Sequence, residues 1–369
     1  MECIMTVREQ QILKWIQENP LISQEQLARK AGITRSSVGV HISHLMKKGY
    51  IAGKGYVVKS GTYVAVVGGV NIDIGGMPYA PLVAQDSNPG TVTTSLGGVG
   101  HNIACNLALL GMDVQFFTAF GDDDYAARIE SACTSAGIDI SHALRVKNAA
   151  TSLYLFISDS DGDMACAVSD MDICEHITSD YLAAHMPLLN NAQLVVIDTN
   201  VPQKSLEYLA RHCTAPLFAD PVSVAKAPRL RKILPRITTL KPNRMEAELL
   251  SGCTITGKKS LFAAADALLA HGVQRVFISL GKDGVLAADS TQKLVIPCCP
   301  AKVVNVTGSG DAFMAALAYA QVHGAGLEET ARMAHAAAAI AAESAQTINL
   351  SLSAEKMMTR MKRTKRGGT

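Results

Sequence analysis

The segment NVTGSGDAFMAALAYA at residues 305–320 combines a glycine-rich turn with an acid. The alanine-rich run that follows predicts a helix, and a helix N-terminus carries unpaired backbone N–H groups and partial positive charge. Glycines allow close approach to such groups, so Gly308, Ser309 and Gly310 could hold an anion. Asp311 would then stand beside the anion as a base. The alternative is that Asp311 only caps an ordinary helix.

A second glycine segment, SLGGVGHNIACNLALLG at residues 95–111, also leads into a run that predicts a helix. The sequence contains no GxxxxGK[ST] motif, which disfavours a P-loop nucleotide site. Nine cysteines occur without CxxC spacing or a Cys/His cluster, which argues against a structural zinc and for reduced thiols. The two glycine segments are therefore the features that point to a site.

Apolar, β-branched runs alternate with helical segments from residue 62 onward. Such runs are typical of strands buried on both faces of a parallel sheet. They are YVAVVGGVNIDI, VQFFTAF, AQLVVIDTN, APLFADP, ITTLKPN, RVFISLG and the valine-rich part of AKVVNVTG. The alternation predicts a doubly wound α/β domain, with a mostly parallel sheet flanked by helices, over residues 61–355. In such sheets ligands lie at the carboxyl ends of the strands.

Two segments break this alternation. Residues 74–96 are polar and punctuated by Pro and Gly. Residues 151–171 predict two strands joined by an Asp/Gly turn at residues 160–163. Together the two segments predict a small antiparallel β lid that projects from the domain.

Composition indicates the class of protein. The 369 residues are 48% apolar and 18% charged, which is typical of a globular chain with two domains. The sequence lacks an uncharged apolar run of about 18 residues and a secretory signal, so we expect a cytoplasmic protein without a membrane segment. Adjacent Cys298 and Cys299 are expected to be strand residues. The basic residues 356–369 are expected to form a disordered tail.

The first 60 residues are a basic unit, with nine Lys and Arg against four Glu. Apolar periodicity predicts three helices, with Ser23 capping the second and Gly32 ending it. A hairpin-like pair of strands is expected around residues 53–55. This is the order of a winged helix-turn-helix, and residues 6–58 resemble the N-terminal domains of MarR-like and Lrp-like bacterial regulators.

In a helix-turn-helix the second helix of the pair meets base edges, and basic residues at its end and in the wing meet phosphates. The predicted base contacts are Arg35, Ser36, Ser37 and His41. The predicted phosphate contacts are Lys47, Lys48 and Lys54. The alternative is a small helical module that docks on the main domain or on a partner, with its lysines only solvated.

Four segments of the large domain match the motifs of one family in the same order. They are GGVGHNIACNLALLG, LKPNRMEAELLSG, ISLGKDGVLA and NVTGSGDAFMAALAYA. Across residues 62–352 the sequence resembles the PfkB, or ribokinase-like, family of carbohydrate and nucleoside kinases. The resemblance implies that Asp311 takes the proton from the acceptor hydroxyl. It also implies that the N–H groups of residues 308–310 stabilise the charge on the transferring phosphoryl group.

The resemblance further implies ATP and Mg²⁺ as cofactors. Asn243 and Glu246 would orient Mg²⁺ through water molecules. The implied ATP-binding residues are Asn243, Gly281, Lys282, Gly284, Thr307, Gly308 and Gly310, with the helix AHAAAAIAAESAQT facing adenine. Asn305 stands where many relatives have an aspartate that helps to bind a monovalent cation, so a K⁺ requirement is left open. Because many relatives dimerise through the lid, a homodimer is expected.

The resemblance also implies where the acceptor binds. The implied substrate-binding residues are Asn71, Asp73, Gly97, Gly98, Asn102, Asn200 and Asp311. Val99 replaces the lysine of ribokinases, and the first glycine segment with VSDM at residues 168–171 is similar to the pseudouridine kinase branch. The expected activity is phosphorylation of the 5′-hydroxyl of pseudouridine or a related nucleoside. The alternatives are inosine, another nucleoside or a sugar as acceptor, or a transcription regulator whose kinase-like domain only senses a ligand.

Overall fold

The computed structural model describes residues 5–51, 62–159 and 164–366. Its strands are β1 Tyr63–Val67, β2 Asn71–Pro78, β3 Gly90–Gly97, β4 Asp113–Phe117, β5 Ala119–Phe120, β6 Ile138–Asp139, β7 Leu144–Arg145, β8 Leu153–Ser158, β9 Met164–Asp170, β10 Leu194–Asp198, β11 Leu217–Asp220, β12 Ile237–Leu240, β13 Arg275–Ser279, β14 Val285–Asp289 and β15 Lys293–Ile296.

Helices make up most of the remaining described chain. The α-helices are α1 Val7–Glu18, α2 Gln24–Ala31, α3 Arg35–Lys47, α4 Val99–Leu109, α5 Asp124–Ser135, α6 Ser179–Asn191, α7 Gln203–His212, α8 Arg244–Ser251, α9 Lys258–Ala270, α10 Ser309–Val322, α11 Leu327–Ala342 and α12 Ala354–Arg366. Short 3-10 helices cover Asp172–His176, Ala227–Arg236 and Gly281–Asp283. Within the described residues, none of the helices is long and apolar enough to cross a membrane.

Nine of the described strands form the central sheet, in the order β15-β14-β13-β12-β11-β10-β1-β4-β6. Neighbours are parallel from β6 to β13, and β13, β14 and β15 pair antiparallel. Strands such as β10 are buried along their whole length, which explains their continuous apolar sequences. The prediction of a doubly wound, mostly parallel α/β fold is confirmed.

Two apolar layers cover the central sheet, one on each face. Because side chains alternate along a strand, Val64 and Val66 of β1 pack with helices α4, α10 and α11. Ala65 and Val67 face the opposite layer, which helices α6 to α9 supply. The helices cover both faces, so the carboxyl ends of the parallel strands remain as the edge where a ligand can bind.

The run YVAVVGGVNIDI is not one strand, contrary to the prediction. β1 ends at Val67, and after three intervening residues the chain enters β2, which belongs to a different sheet. The break is crowded: a Cβ on Gly69 would lie 2.8 Å from Cε of Met171 and 2.9 Å from Nδ2 of Asn200. Glycine at this position therefore lets the chain pass between neighbouring side chains as it leaves the central sheet.

The lid sheet consists of β2, β3, β8 and β9, in the order β3-β2-β8-β9. It is mixed rather than antiparallel as predicted, since β2 pairs parallel to β8. The reason is that β2 and β8 both leave the body of the domain in the same direction, and each pairs antiparallel with the strand that returns. The expected turn at residues 160–163 lies outside the described residues.

The segment AKVVNVTG does not form a strand, although its sequence predicts one. Its three valines are more than half exposed, and the chain is irregular from residue 297 to the start of α10. Cys298 and Cys299 also lie in this irregular stretch and not in a strand. Pro297 and Pro300 flank them, and proline cannot donate the backbone hydrogen bond that a continuing strand would need.

Residues 356–366 are not disordered as expected, because they belong to helix α12. Met357 is fully buried in the apolar layer that contains α11. Arg360 donates two hydrogen bonds to the carboxylate of Glu343, at 3.0 and 2.9 Å. The basic segment is therefore one face of an amphipathic helix. Residues 367–369 lie outside the described residues.

The N-terminal helices have an apolar core of their own. Each helix contributes fully buried residues to it, among them Ile12, Leu27 and Leu45. Each helix begins at a Thr or Ser cap, and Gly32 ends α2 with a φ of 65°. The helices agree with the predicted helix-turn-helix. The wing expected around residues 53–55 lies outside the described residues.

Candidate active site

The two glycine segments meet where helices α4 and α10 begin. Asn102 donates a hydrogen bond from Nδ2 to Oδ2 of Asp311 at 2.8 Å. Asp311 is the third residue of α10 and does not cap it, since the cap position belongs to Gly308 with a φ of 81°. A side chain on Gly308 would collide with the carbonyl of Thr347. The capping alternative is therefore wrong, and the carboxylate of Asp311 faces α4.

Asp311 is a buried acid in unusual surroundings. Burial, helped by the carboxylate of Asp220, raises the pKa of Asp311 to about 7. The hydrogen bond from Asn102 and the ammonium group of Lys241 oppose this rise. An acid with such a pKa can exchange a proton with a hydroxyl near neutral pH.

A buried ion pair lies beside Asp311. Lys241 follows β12 and Asp220 ends β11, and Nζ of the lysine lies 3.1 Å from Oδ2 of the aspartate. Burial lowers the pKa of Lys241, but the nearby carboxylates outweigh this effect and leave it above its usual value. A Cβ on Gly310 would lie 3.5 Å from Nζ, so the positive charge stands next to the glycine turn.

Lys241 and Asp220 were not among the sequence-predicted site residues. Both lie at the carboxyl ends of neighbouring parallel strands, which is where such a fold binds ligands. Asp220 lies in the segment LFADP and Lys241 in the segment LKPN, and both segments belong to predicted strands. A charged residue at the end of a predicted strand was therefore the signal that could have identified them.

A cavity of about 520 Å³ opens on the other side of the glycine turn. Its lining includes the predicted ATP-binding residues Gly281, Lys282, Gly284 and Gly310. It also includes Ala338, Ala339 and Ala342 of the helix expected to face adenine. Asn243, Thr307 and Gly308 are absent from the lining formed by the described residues. The cavity therefore ends at the turn that carries Asp311.

Part of the cavity wall is aromatic. Phe313 and His335 make an edge-on contact with ring centroids 5.4 Å apart. Burial lowers the pKa of His335 to about 4, so the ring is neutral at neutral pH. A wall of alanines with a neutral aromatic pair suits a flat, apolar group such as a nucleotide base.

Three of the predicted acceptor residues form a cluster at the start of the lid. Nδ2 of Asn71 donates to Oδ1 of Asp73 at 2.6 Å. Burial raises the pKa of Asp73, and this hydrogen bond opposes the rise. A side chain on Gly97 would collide with the carboxylate of Asp73, so the acid lies directly over that glycine.

The loop after β10 lies next to the predicted acceptor residue Gly98. Asp198 accepts hydrogen bonds from the backbone N–H of Gly69 at 2.9 Å and of Asn200 at 2.8 Å. Burial raises the pKa of Asp198 to about 6. Gly98, with a φ of 96°, packs against the carbonyl of Gly69. Asn200 thus lies beside Gly69, next to the predicted acceptor residue Gly98, while Asp198 is a further strand-end acid that sequence reasoning missed.

Asn243 and Glu246 form a capping box at the start of α8. Oδ1 of Asn243 accepts from the N–H of Glu246 at 2.9 Å, and Oε2 of Glu246 accepts from the N–H of Asn243 at 2.8 Å. Burial raises the pKa of Glu246. The described part of the chain contains no group of three or more His, Cys, Asp or Glu suited to hold a metal. A magnesium ion near this pair would be held chiefly by water and phosphate oxygens.

Asn305 stabilises the loop that leads to the glycine turn. Its Oδ1 accepts from the N–H of Thr307 at 2.9 Å, and its Nδ2 donates to the carbonyl of Ala345 at 3.2 Å. Both ends of the amide are therefore used in holding the backbone. A carboxylate at this position would lack the donor that reaches Ala345.

Helix α3 exposes some of the predicted DNA contacts. Arg35, Ser36 and Lys47 are exposed, and Ser37 and His41 are partly buried. Lys48 differs from the prediction, since its Nζ lies 2.8 Å from Oε2 of Glu9, whose side chain is 2% exposed. This lysine holds α3 against α1 inside the domain and is not a free surface charge. Lys54 lies outside the described residues.

Comparison with known proteins covers both parts of the chain. The pfkB family of carbohydrate kinases matches residues 61–354, and a winged helix-turn-helix DNA-binding family matches residues 5–52. The chain is 37% identical over 356 residues to Uncharacterized sugar kinase YeiI of Escherichia coli K12, covering 96% of this chain and 98% of that protein. It is 38% identical over 293 residues to the pseudouridine kinase of the same organism, covering 79% of this chain and 94% of that protein.

A solved structure, of a carbohydrate kinase from Agrobacterium tumefaciens, is also similar. The TM-score is 0.71 at 28% sequence identity, and the match covers 82% of this chain and 97% of that one. The family match spans the whole α/β domain, including both glycine segments and the acid that joins them. The chain belongs to the pfkB family of carbohydrate kinases, and it is a nucleoside or sugar kinase that transfers a phosphoryl group to an alcohol.

Proposed function

We propose that this protein transfers the γ-phosphoryl group of ATP, with Mg²⁺, to the 5′-hydroxyl of pseudouridine or a closely related nucleoside. The observation that carries the proposal is the position of Asp311. Its carboxylate bonds to Asn102 on the acceptor side, and its own turn borders the cavity of about 520 Å³. One acid therefore stands between an acceptor cleft and a nucleotide-sized cavity.

The residues of this chain divide the chemistry between them. Asp311, with its pKa raised to about 7, accepts the proton of the acceptor hydroxyl as the oxygen attacks. The backbone N–H groups at the start of α10 and the ammonium group of Lys241 stabilise negative charge that develops beside them. Asn71 and Asp73 hold sugar hydroxyls, since the ionised acid can accept from two hydroxyl donors. ATP supplies the phosphoryl group when bound.

The residues at the glycine turn fit a phosphate group. Oγ of Ser309 is buried and has no hydrogen-bond partner among the described residues, so it is available to donate to a phosphate oxygen. The small size of Gly310 leaves space beside Nζ of Lys241. Asn243 and Glu246, fixed by their capping box, would hold the waters of Mg²⁺.

A panel assay tests this function. Consumption of ATP with Mg²⁺ is measured against pseudouridine, uridine, inosine, ribose and other pentoses, and mass spectrometry identifies the phosphorylated product. We expect pseudouridine to give the highest kcat/KM. A preference for inosine or for a free sugar would overturn the pseudouridine assignment and support an alternative acceptor. A requirement for K⁺ is measured by replacing it with Na⁺ in the same assay.

The 38% identity to the pseudouridine kinase, over 94% of that enzyme, favours a nucleoside over a free sugar as the acceptor. The other relative is named an uncharacterized sugar kinase, and its match extends over the N-terminal domain as well.

The expected loss of turnover in Asp311→Asn is compared with Asp113→Asn, which removes an exposed carboxylate at the start of β4. Turnover near the wild-type value in Asp311→Asn would overturn the role of the base.

DNA binding through α3 is a second proposed function, supported by the family match over residues 5–52 and by the exposed Arg35 and Lys47. Binding to genomic DNA fragments with and without the nucleoside is the test. Sequence-specific binding that changes with the nucleoside would make the chain a regulator as well as an enzyme. Such binding with no turnover on any acceptor would favour the ligand sensor instead.

We further propose a homodimer formed through the lid. The edge strand β9 is exposed along its whole length, and Met164 and Val168 on it are more than half exposed. Exposed apolar residues on a strand edge favour pairing with a second strand. Sedimentation of the wild type and of Val168→Lys tests this, with loss of dimer expected in the variant.

The eight described cysteines are free thiols, which supports a cytoplasmic location.

A further inference from the structure

The amide of Asn200 is fixed on one side and open on the other. The residue follows β10 and is 5% exposed. Its backbone carbonyl accepts from Nη1 of Arg229 at 3.1 Å, and its side-chain Oδ1 accepts from Nζ of Lys226 at 2.6 Å. Nδ2 has no hydrogen-bond partner among the residues that the structure describes. The fully buried polar side-chain atoms without a partner do not include Nδ2, so this donor is open to solvent and can donate to a bound molecule.

Nδ2 of Asn200 lies at the acceptor cleft. A Cβ built on Gly69 would be 2.9 Å from Nδ2 and 3.1 Å from Cβ of Asn200, so the amide lies directly over that glycine. Gly69 in turn contacts Gly98, whose own Cβ would lie 2.6 Å from the carbonyl oxygen of Gly69. The unpaired donor therefore borders the glycines between β1 and α4.

A strained turn after β11 places Lys226 next to the amide of Asn200. Between β11 and Lys226 the chain passes through Val222, whose φ of 62° is unfavourable for a β-branched residue. Hydrogen bonds from Val222 N to Asp220 Oδ1 at 2.9 Å and from Thr199 Oγ1 to Pro221 O at 2.5 Å hold the turn. Strain of this kind persists where the surroundings determine the conformation, and it is concentrated at functional sites.

The chemistry of the two side chains decides how the amide is oriented. The two ends of an amide have nearly the same shape but opposite hydrogen-bonding roles, and an ammonium group can only donate. Burial lowers the pKa of Lys226, and the carboxylate of Asp198 opposes this and favours the charged form. The ammonium can bond only to Oδ1, so the N–H end of the amide of Asn200 is turned to the cleft.

We propose that Lys226 is a positioning residue, which orients Asn200 so that the acceptor pocket offers an N–H donor to a substrate oxygen that carries no proton. That oxygen is either the ring oxygen of the sugar or a carbonyl oxygen of the base. The inference rests on the proposed function, because it requires the acceptor to bind beside Gly69 and Gly98. Asn200 would then donate a hydrogen bond to the substrate, whereas Asp73 accepts hydrogen bonds from its hydroxyl groups.

A double-mutant cycle tests the inference. The variants Lys226→Met, Asn200→Ala and the double variant are compared with the wild type by kcat and KM for the best acceptor. One hydrogen bond corresponds to a KM increase of about tenfold, and each single variant should show it with kcat changed by less than about threefold. Because Lys226 acts through Asn200, the double variant should also lose only about tenfold, and not the roughly 100-fold expected of independent residues.

Two further variants separate positioning from a structural role. Lys226→Arg keeps a charged donor for Oδ1, so KM should return to within about threefold of the wild type. Lys232→Met is the matched control, since Lys232 lies in the 3-10 helix that begins directly after Lys226 and its side chain is 69% exposed. Additive losses in the double variant, or no rescue by arginine, would overturn the inference.

The choice of acceptor distinguishes the two oxygen atoms. If the ring oxygen accepts the bond, Asn200→Ala weakens ribose and nucleosides equally. If a base carbonyl accepts it, the loss is confined to nucleosides. The wild-type panel alone decides the proposed function: a wild type that prefers a free sugar refutes it, and the cycle is then measured on that sugar. A wild type without turnover also refutes it, and the cycle is then measured on acceptor binding by calorimetry.

Discussion

Replacing Asp311 by asparagine should make the kinase domain more stable above neutral pH while it removes the proposed base. Asparagine has the shape of a protonated aspartic acid, and its Oδ1 can still accept the hydrogen bond from Asn102. Burial raises the pKa of Asp311 from its usual 3.8 to about 7, a shift of about three units. At about 1.4 kcal/mol per unit, ionising the folded protein at this position costs on the order of 4 kcal/mol.

The sign of the pH dependence follows from the two pKa values. Below about pH 4 the acid is protonated in both the folded and the unfolded chain, so the variant and the wild type differ little in this respect. Between 3.8 and about 7 the folded protein binds the proton and the unfolded chain does not, so the wild type loses stability as the pH rises. The stability difference should grow from about 2 kcal/mol at pH 5 to about 4 kcal/mol at pH 8.

Urea unfolding at pH 5, 6.5 and 8 measures this difference on the transition of the α/β domain. Asp113→Asn is the control, since it makes the same chemical change at an exposed position. An equal stability difference at all three pH values would refute the argument, as would an Asp311→Asn variant that is less stable than the wild type at pH 8. Either result would also remove the reason for assigning a raised pKa to Asp311.

The same acid should govern the pH dependence of catalysis. The proposed base must be ionised to accept a proton, so kcat/KM of the wild type should rise with pH through about 7 and then level off. Asp311→Asn should lose turnover by about 100-fold to 10,000-fold. A flat wild-type profile between pH 5.5 and 8.5 would contradict the assignment. A variant that is more stable but inactive would show that this acid is kept for chemistry and not for folding.

Two further predictions concern the DNA-binding surface and the glycine turn. Lys47→Ala should lower the slope of the logarithm of DNA affinity against the logarithm of salt concentration by about one, whereas Lys48→Met should leave the slope unchanged, because its ammonium is paired inside the domain. An equal change in both slopes would contradict the ion pair. Gly308→Ala should raise KM for ATP by about 100-fold, because its Cβ collides with the carbonyl of Thr347 and displaces the turn. Gly324→Ala is the control: φ is also positive, at 71°, but no atom lies within 4 Å of its Cβ, so an equal effect would refute a steric cause.

Features that depend on neighbouring residues could be predicted from the sequence. Ser23 accepts from the N–H of Gln26, and Gly32 adopts the left-handed conformation that ends α2. The strand and helix runs of the α/β domain were also recognisable, because apolar periodicity reflects burial directly. The fold class is confirmed for these reasons. The roles assigned to Asp311, Asn200 and the ATP-binding residues remain predictions that the experiments above test.

Features that depend on distant residues could not be predicted in this way. Lys48 and Glu9 are separated by 39 residues, and only the packing of α3 on α1 brings them together. Arg360 pairs with Glu343 because α12 folds back on the domain, so a basic composition that suggests disorder instead forms a helix. The ion pair between Lys241 and Asp220 depends on which strands are neighbours, which periodicity alone does not reveal.

The two halves of the site are joined by close backbone contacts rather than by long side chains. At the proposed acceptor side, Gly98 approaches the carbonyl of Gly69, where a Cβ would lie at 2.6 Å. At the proposed nucleotide side, Gly308 approaches the carbonyl of Thr347 more closely than any side chain allows. Both contacts bring a helix N-terminus to the same cleft, and the hydrogen bond from Asn102 to the acid of α10 spans the gap. The close backbone contacts of the glycines, as much as the acid itself, therefore bring the starts of α4 and α10 together.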